Sequence, residues 1–248
     1  MIMDESPFFA QHFLMTRFNV RVPGWGRSKN GQPVLDHKWI DHRFQLFDTF
    51  CFPSVLGQSN QKFTWLVFFD TSTPKEYLPR IERYKEASAI FFPHFVDGSK
   101  WFRTPVRELV GQLTKPEYKF ILTTRLDNDD AIHQNFIQKI QDEAIPEHLT
   151  LIEPRFGFKS NPKGEIIKER KKFGPFISLV EEVDHFETVL ARKHREWKNT
   201  KNVRVIKDRM WIQVIHERNM KNIFRKNIFN GARVDPKDFN IGNLQQTF

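Results

Sequence analysis

Residues 122–136 read LTTRLDNDDAIHQNF, an apolar run that ends at Leu126 and is followed at once by Asp127, Asn128, Asp129 and Asp130. Carboxylates this close repel, and two sharing a site do not both ionise cheaply unless a cation lies between them. The stretch therefore asks for a metal ion, for backbone N–H groups to cap, or for both. Capping uses one carboxylate, Asp129 or Asp130, ahead of a helical pattern that begins at Ala131. It leaves two unexplained. A calcium loop of the EF-hand type does not fit, since its glycine position holds Ile132 and its final glutamate position holds Gln138. An aspartyl-phosphate phosphatase also starts with a strand ending in Asp-x-Asp, but small residues usually follow its second Asp, where this chain has Asp130 and Ala131. A third reading is an Asp-x-Asp pair, Asp127 and Asp129, holding Mg²⁺ or Mn²⁺ against a diphosphate. One carboxylate then faces the metal and the other a ribose.

Such a cluster needs a scaffold. HFLMTRFNV (12–20), KFTWLVFFD (62–70), AIFFPHFV (89–96) and YKFILTTRL (118–126) read as strands, and Pro93 keeps the third from a central place along its whole length. Between them, DHKWIDHRFQLFDTFCFPSV has a helical period that puts Trp39, Phe44, Phe47 and Cys51 near one stripe. TPKEYLPRIERYKE opens with Thr73 as an N-cap and Pro74 at the first helical position, and TPVRELVGQL repeats that opening. AIHQNFIQKIQDEA reads as a helix burying Ile132, Phe136, Ile137 and Ile140. The alternation predicts an α/β fold, a mostly parallel sheet flanked by helices. Beyond it, LTLIEPRFGF, PFISLV and RVIKDRMWIQVIH suit strands or short helices. Ligands of open α/β sheets sit beyond the carboxyl ends of the strands, which is where the acidic cluster falls.

With 26 Phe and 6 Trp in 248 residues, the composition excludes a disordered or fibrous chain. No apolar run is long enough to span a bilayer, and MIMDESPFFAQHFLM carries acids where a signal peptide needs positive charge. The single cysteine, Cys51, precludes an internal disulfide and fits a reducing compartment, so a cytoplasmic protein is expected. A net charge of +9 favours anionic partners: a phosphorylated small molecule, an acidic membrane surface or nucleic acid. The basic residues crowd into 163–172 and 191–209. No RNA-recognition aromatic motif, paired zinc ligands or basic zipper accompanies them, so nucleic acid is the least expected partner. Neither a linker nor a repeat divides the chain, and a single domain over 1–248 is expected.

FLMTRFNVR, HRFQLFDTFCFPSVLGQSNQKFTWLVFFD, TTRLDNDDAIHQNFI, FISLVEE and MWIQVIHERNMKN together resemble the rhamnosyltransferase family, whose members look like GT-A-fold glycosyltransferases. The resemblance runs from Phe13 to Asn222, and TRLDNDDA with a downstream W-x-x-x-x-H-x-x-N is its most specific part. It implies a GT-A-like domain with a nucleotide-binding part over 12–130 and an acceptor part over 131–248. It also implies that Thr16, Arg17 and Asn19 line the nucleotide pocket and that Asp70 contacts the base. Asp127 and Asp129 would meet ribose and metal, His216 would complete the metal shell, and Glu181 or Glu182 would be the base of an inverting enzyme. Arg125 either pairs with the acidic cluster or reaches a phosphate.

Sugar transfer needs the leaving diphosphate's charge neutralised, by a cation with Arg or Lys, and a group to take the acceptor's proton. The expectation is a transferase dependent on Mn²⁺ or Mg²⁺. It moves a sugar, rhamnose by the family's label, from a nucleoside-diphosphate sugar to a glycan or lipid-linked acceptor. Phe18, Trp25 and Trp211 read as core or pocket wall rather than sugar-stacking platforms. The basic segments read mainly as solvated surface; otherwise they would hold the protein at the anionic inner face of a membrane, with 163–172 a mobile loop over the donor. A metal-dependent phosphohydrolase and a basic nucleic-acid-binding module are the rival classes.

Overall fold

Phe13, Leu14 and Met15 are fully buried in the strand β1 (Ala10–Arg17), which is apolar on both faces because both are covered. The computed structural model describes residues 8–21, 31, 34–98, 102–161, 163–219, 223–224 and 231–242. Leu14 joins one core, while Phe13 and Met15 point into another on the opposite face of the sheet. β1 pairs in parallel with β2 (Thr64–Asp70) and β4 (Phe120–Arg125), and β2 pairs in parallel with β3 (Phe91–Val96). The strand containing Pro93 is the sheet edge, where a missing N–H is tolerated.

The second half departs from the expected parallel pattern. After β5 (Ala131–Ile132) come β6 (Thr150–Ser160), β7 (Ile166–Arg170), β8 (Ser178–Glu182) and β9 (Asn202–Val214). The order is β3-β2-β1-β4-β8-β6-β9-β5, with β7 on the side of β6. β8 is antiparallel to β4 and β6, β7 is antiparallel to β6, and β6 runs parallel to β9. The connection from β6 to β7 is too short for a crossover, so it joins antiparallel neighbours, and β7 and β8 pair in turn with the later and the earlier part of β6. The sheet is therefore mixed. The basic stretch 163–172, read as solvated surface or else as a mobile loop, contains β7.

Helices α1 (His37–Leu46) and α2 (Phe52–Leu56) flank a π-helical turn at Phe47–Cys51, and all three contribute to the core on the Leu14 face. α3 (Leu78–Ala87) and α5 (Phe136–Glu143) add Ile81, Tyr84, Phe136, Ile137 and Ile140 to the same core. α4 (Arg103–Leu113) covers the other face with Val106, Leu109 and Val110. Asp36 caps α1 by accepting from Trp39 N at 2.8 Å. Thr73 caps nothing: its hydroxyl donates to Asp70 O, and α3 starts only after a 3₁₀ turn at Lys75–Tyr77. The helix expected from Ala131 begins at Phe136, because Ala131 and Ile132 pair with β9. Phe18 lies in the Leu14-side core, and so does Trp211, stacked on Phe176 at 4.7 Å; Trp25 lies outside the described residues. Among the described residues no helix is long and apolar enough to cross a membrane.

Candidate active site

The four parallel strands end along one edge, at Arg17, Asp70, Val96 and Arg125. Three residues expected to line a nucleotide pocket there are built into the scaffold instead. Thr16 is fully buried, its hydroxyl accepting from Trp65 Nε1 at 3.0 Å. Asn19 accepts from Asp70 N at 3.1 Å and donates to Thr73 Oγ1 at 3.0 Å. Asp70 accepts from the N–H groups of Arg21, Ser72 and Gly98 and from the Ser72 hydroxyl. Burial alone would raise the Asp70 pKa, but these donors hold it below the usual carboxylate value. Its lone pairs are filled, so it ties together the exits of β1, β2 and β3 and has no acceptor left for a nucleotide base.

The turn after β4 is anchored from both sides. Asn128 donates to Phe18 O at 2.8 Å and accepts from Arg43 Nη1 at 3.2 Å, which fixes the turn against the exit of β1. Asp127, with a third of its side chain exposed, accepts from Arg125 Nη2 at 3.0 Å. Asp130 turns inward and accepts from Val214 N at 2.9 Å. Burial, then the charges of Asp129 and Asp127, push the Asp130 carboxyl well above its usual range. It does not cap a helix.

Asp129 Oδ2 receives Arg43 Nη1 at 2.6 Å, His216 Nε2 at 2.9 Å and Asn219 Nδ2 at 3.2 Å, all buried. Burial pushes its pKa up, but Arg43 and His216 outweigh it and hold the carboxylate well below the normal range. The His42 ring stands 5.0 Å from that of His216; burial, then His216 and Arg43, lower its pKa to about 4. Asp127 and Asp129 thus face different partners. Among the described residues no group of three or more His, Cys, Asp or Glu side chains is placed to hold a metal ion. Asp129 and His216 would have to give up the hydrogen they share to hold one between them; their 2.9 Å spacing is close to the ~3 Å between adjacent ligands of an octahedral ion with ~2.1 Å bonds. Asn219 and Arg43 would orient these ligands from behind.

Around the acids stand cations. Arg17 is half-buried, and burial, then Arg125, bring its pKa down to about 10 against the pull of Asp127. Lys171 donates to Gln213 Oε1 at 3.1 Å; burial lowers its pKa while the charge of Asp130 opposes. Arg17, Arg43, Arg125 and Lys171 together give the edge a positive rim beside its carboxylates.

Glu181 and Glu182 are not part of this edge. They pair with Ile121 and Phe120 in the β4–β8 register, whereas Ser178 pairs with Thr124. At ~3.3 Å per residue, Glu181 lies roughly 13 Å along the strand from Arg125. The expected base is at the wrong end of the sheet.

His42, Arg43, Lys171 and His194 were not singled out in the sequence, and Asn128 and Asn219 stood within the quoted motifs without a role. A signal for Arg43 was present: it falls four residues after Trp39 and four before Phe47, on the buried stripe of the helix. An arginine on such a stripe requires a buried acid.

Residues 11–226 match the family described as "Putative rhamnosyl transferase". No curated protein matches the chain. Among solved structures, S. aureus TarS 1–349 superposes with a TM-score of 0.47 at 11% identity, over 82% of this chain and 60% of that one. The S. aureus TarS 1–349 complex with UDP-GlcNAc gives 0.45 at 12% identity, over 92% and 63%. A structure described as a "putative nucleotide-diphospho-sugar transferase" from Desulfovibrio desulfuricans G20 gives 0.40 at 8% identity, over 84% and 80%. The chain thus spans 60% of the length of the first TarS structure it matches.

Proposed function

Because the chain belongs to the rhamnosyl transferase family, we propose that it is a glycosyltransferase that moves a sugar from a nucleoside-diphosphate donor to a glycan hydroxyl. The observation that carries this reading is the cationic rim at the carboxyl edge of the parallel strands, Arg17, Arg43, Arg125 and Lys171 around the Asp127–Asp130 turn. An anionic diphosphate is the ligand such a rim attracts, and its low-dielectric walls strengthen the attraction. By the family's label the sugar is rhamnose.

In this reading Arg17 and Arg125 hold the phosphates, and Asp127, paired with Arg125, accepts hydrogen bonds from the donor's ribose. Asp129 and His216 would hold Mn²⁺ or Mg²⁺, which when bound neutralises charge on the leaving diphosphate. Arg43 keeps Asp129 charge-balanced, and Asn128 keeps the turn in place. β1–β4 form the nucleotide-binding part, and the mixed half of the sheet forms the acceptor part. Exposed Lys168, Arg170, Lys172, Arg192, Lys193 and Arg195 suit an anionic surface carrying a lipid-linked acceptor.

Thermal unfolding with a panel of nucleoside diphosphates, with and without Mn²⁺, tests the reading. A ligand at a hundred times its Kd stabilises by about 2.7 kcal/mol. We expect at least one diphosphate to do so in the presence of Mn²⁺. Absence of stabilisation by every nucleotide, with or without the ion, would contradict it.

A further inference from the structure

Glu181, at the far end of β8, organises the chain's return to the site. Its Oε1 accepts from Glu187 N at 2.8 Å and its Oε2 from Thr188 N at 3.0 Å, with Thr188 at φ +76°. Val189 N then donates to Thr123 Oγ1 at 2.9 Å, which lays the segment back along β4. Trp197, buried in the core beneath α4, donates from Nε1 to Val189 O at 3.3 Å and anchors the next turn. That turn, His194–Asn199, begins at the opposite end of the sheet, where the His194 ring meets Phe173.

The contact fixes the ring's tautomer. Phe173 O bonds His194 Nδ1, and a carbonyl oxygen can only accept, so Nδ1 carries the hydrogen and the neutral ring has its lone pair on Nε2. Among the described residues, Nε2 makes no hydrogen bond. Phe173 is itself held in an unusual backbone conformation, φ +48°, with its N–H donated to Glu153 Oε1. Glu153 is fully buried, and its other oxygen accepts from Arg155 Nε at 3.0 Å. The segment that carries Phe173 runs from Lys171, whose N–H donates to Arg155 O at 2.8 Å, to Ile177, whose carbonyl accepts from Arg125 N at 3.1 Å, so the half-buried ring is held on a segment that borders the rim residues Arg125 and Lys171. Burial, then Arg125 and Lys171, lower its pKa, opposed by the Phe173 carbonyl and by Asp127. The ring is therefore neutral at pH 7.

We propose that His194 is the general base of the transfer, its Nε2 taking the proton from the acceptor hydroxyl. The assignment rests on the glycosyltransferase reading above. As the acceptor O–H bond breaks, its oxygen forms a bond to the anomeric carbon, and the bond from that carbon to the diphosphate oxygen breaks with its electron pair on the leaving group. The proton stays on the imidazolium and then passes to solvent. Attack opposite the leaving group inverts the anomeric carbon. Glu153 and Phe173 are positioning residues, since they act only through the ring.

His194→Asn keeps an N–H donor near the Nδ1 position for Phe173 O and removes Nε2. With UDP-GlcNAc and dTDP-rhamnose as donors and water in place of the acceptor, nucleoside diphosphate release is followed against pH. General-base loss typically costs ~10²–10⁴-fold in turnover. We expect His194→Asn to lose that much in kcat, to lose the fall in wild-type rate on acidification, and to keep donor-induced thermal stabilisation. Imidazole should restore part of the rate to His194→Ala, which a purely structural role would not allow. Unchanged kcat and pH profile in His194→Asn, with the same result in His194→Gln, overturns the assignment while leaving the glycosyltransferase reading intact. Wild-type protein that no nucleoside diphosphate stabilises, and that cleaves neither donor, overturns the reading itself.

Discussion

Asp129 is buried and still ionised because three donors from two separate segments meet one of its oxygens. Removing one partner of a buried ion pair typically costs ~3–5 kcal/mol, because the other charge is left without compensation. Arg43→Met should therefore destabilise the protein by about that much in urea unfolding. The double variant with Asp129→Asn should recover part of the loss. Asp129→Asn alone leaves Arg43 uncompensated and should cost a similar amount; in the protein that stays folded it should abolish the Mn²⁺-dependent part of nucleotide stabilisation, and unchanged Mn²⁺ dependence would remove Asp129 from the metal. Glu181 makes a different prediction. Burial raises its pKa from 4.5 to about 7, so between those values the folded state keeps a proton that the unfolded state has released. Its contribution to stability is present below pH 4.5, is lost as pH rises to 7, and amounts to ~3 kcal/mol. Glu181→Gln removes that dependence. Its stability relative to wild type should improve from pH 4.5 to 7 and level off above, as equilibrium unfolding across pH would show.

At the scale of elements, β6 and β9 approach so closely that Gly157 faces the Trp211 ring, and a Cβ there would stand 2.2 Å from Cδ2. Trp211 is held by its bond to Pro154 O and its stack on Phe176, so it has nowhere to go. Overpacking of this kind costs about 1–3 kcal/mol. Gly157→Ala should lower the melting temperature and alter the near-ultraviolet signal of the Trp–Phe stack; an unchanged spectrum and midpoint would mean that the strands adjust freely. The strands of the parallel half were legible because KFTWLVFFD and FILTT are buried on both faces and read as unbroken apolar runs. The second half was not, since pairing partner and direction depend on connection length and on long-range register. The same limit hid where Glu181 lies. Glu181 follows an apolar run just as a site residue would, but β8 is antiparallel to β4, which carries its end away from Asp127. The helix expected at Ala131 failed for a related reason: Ile132 and Phe136 share a helical spacing, yet β9 offers the backbone at Ala131 a strand partner. Asp127, Asp129 and His216 could be named from the acidic triplet and the family resemblance. Arg43 could not be connected to them, because nothing local records a contact between the first helix and the turn after β4.

Across the whole molecule, the chain is strongly basic, with a net charge of +9, and four of its cations gather at one edge of the sheet. Screening shortens the reach of such a field to ~10 Å at 0.1 M salt, so nucleotide affinity should weaken several-fold as ionic strength rises from low to high. An affinity independent of salt would mean that the rim does not meet the phosphates. In the proposed reading the two halves of the sheet divide the work: parallel strands end at the donor, and the mixed half brings Lys171, His194 and His216 to it from three separate segments. The most direct measurement is a crystal structure of the protein with Mn²⁺ and a nucleoside diphosphate. The account predicts the diphosphate against Arg17 and Arg125, with an ion on Asp129 and His216. A nucleotide bound elsewhere, with Asp129 still closed on Arg43 and no ion beside it, would contradict it.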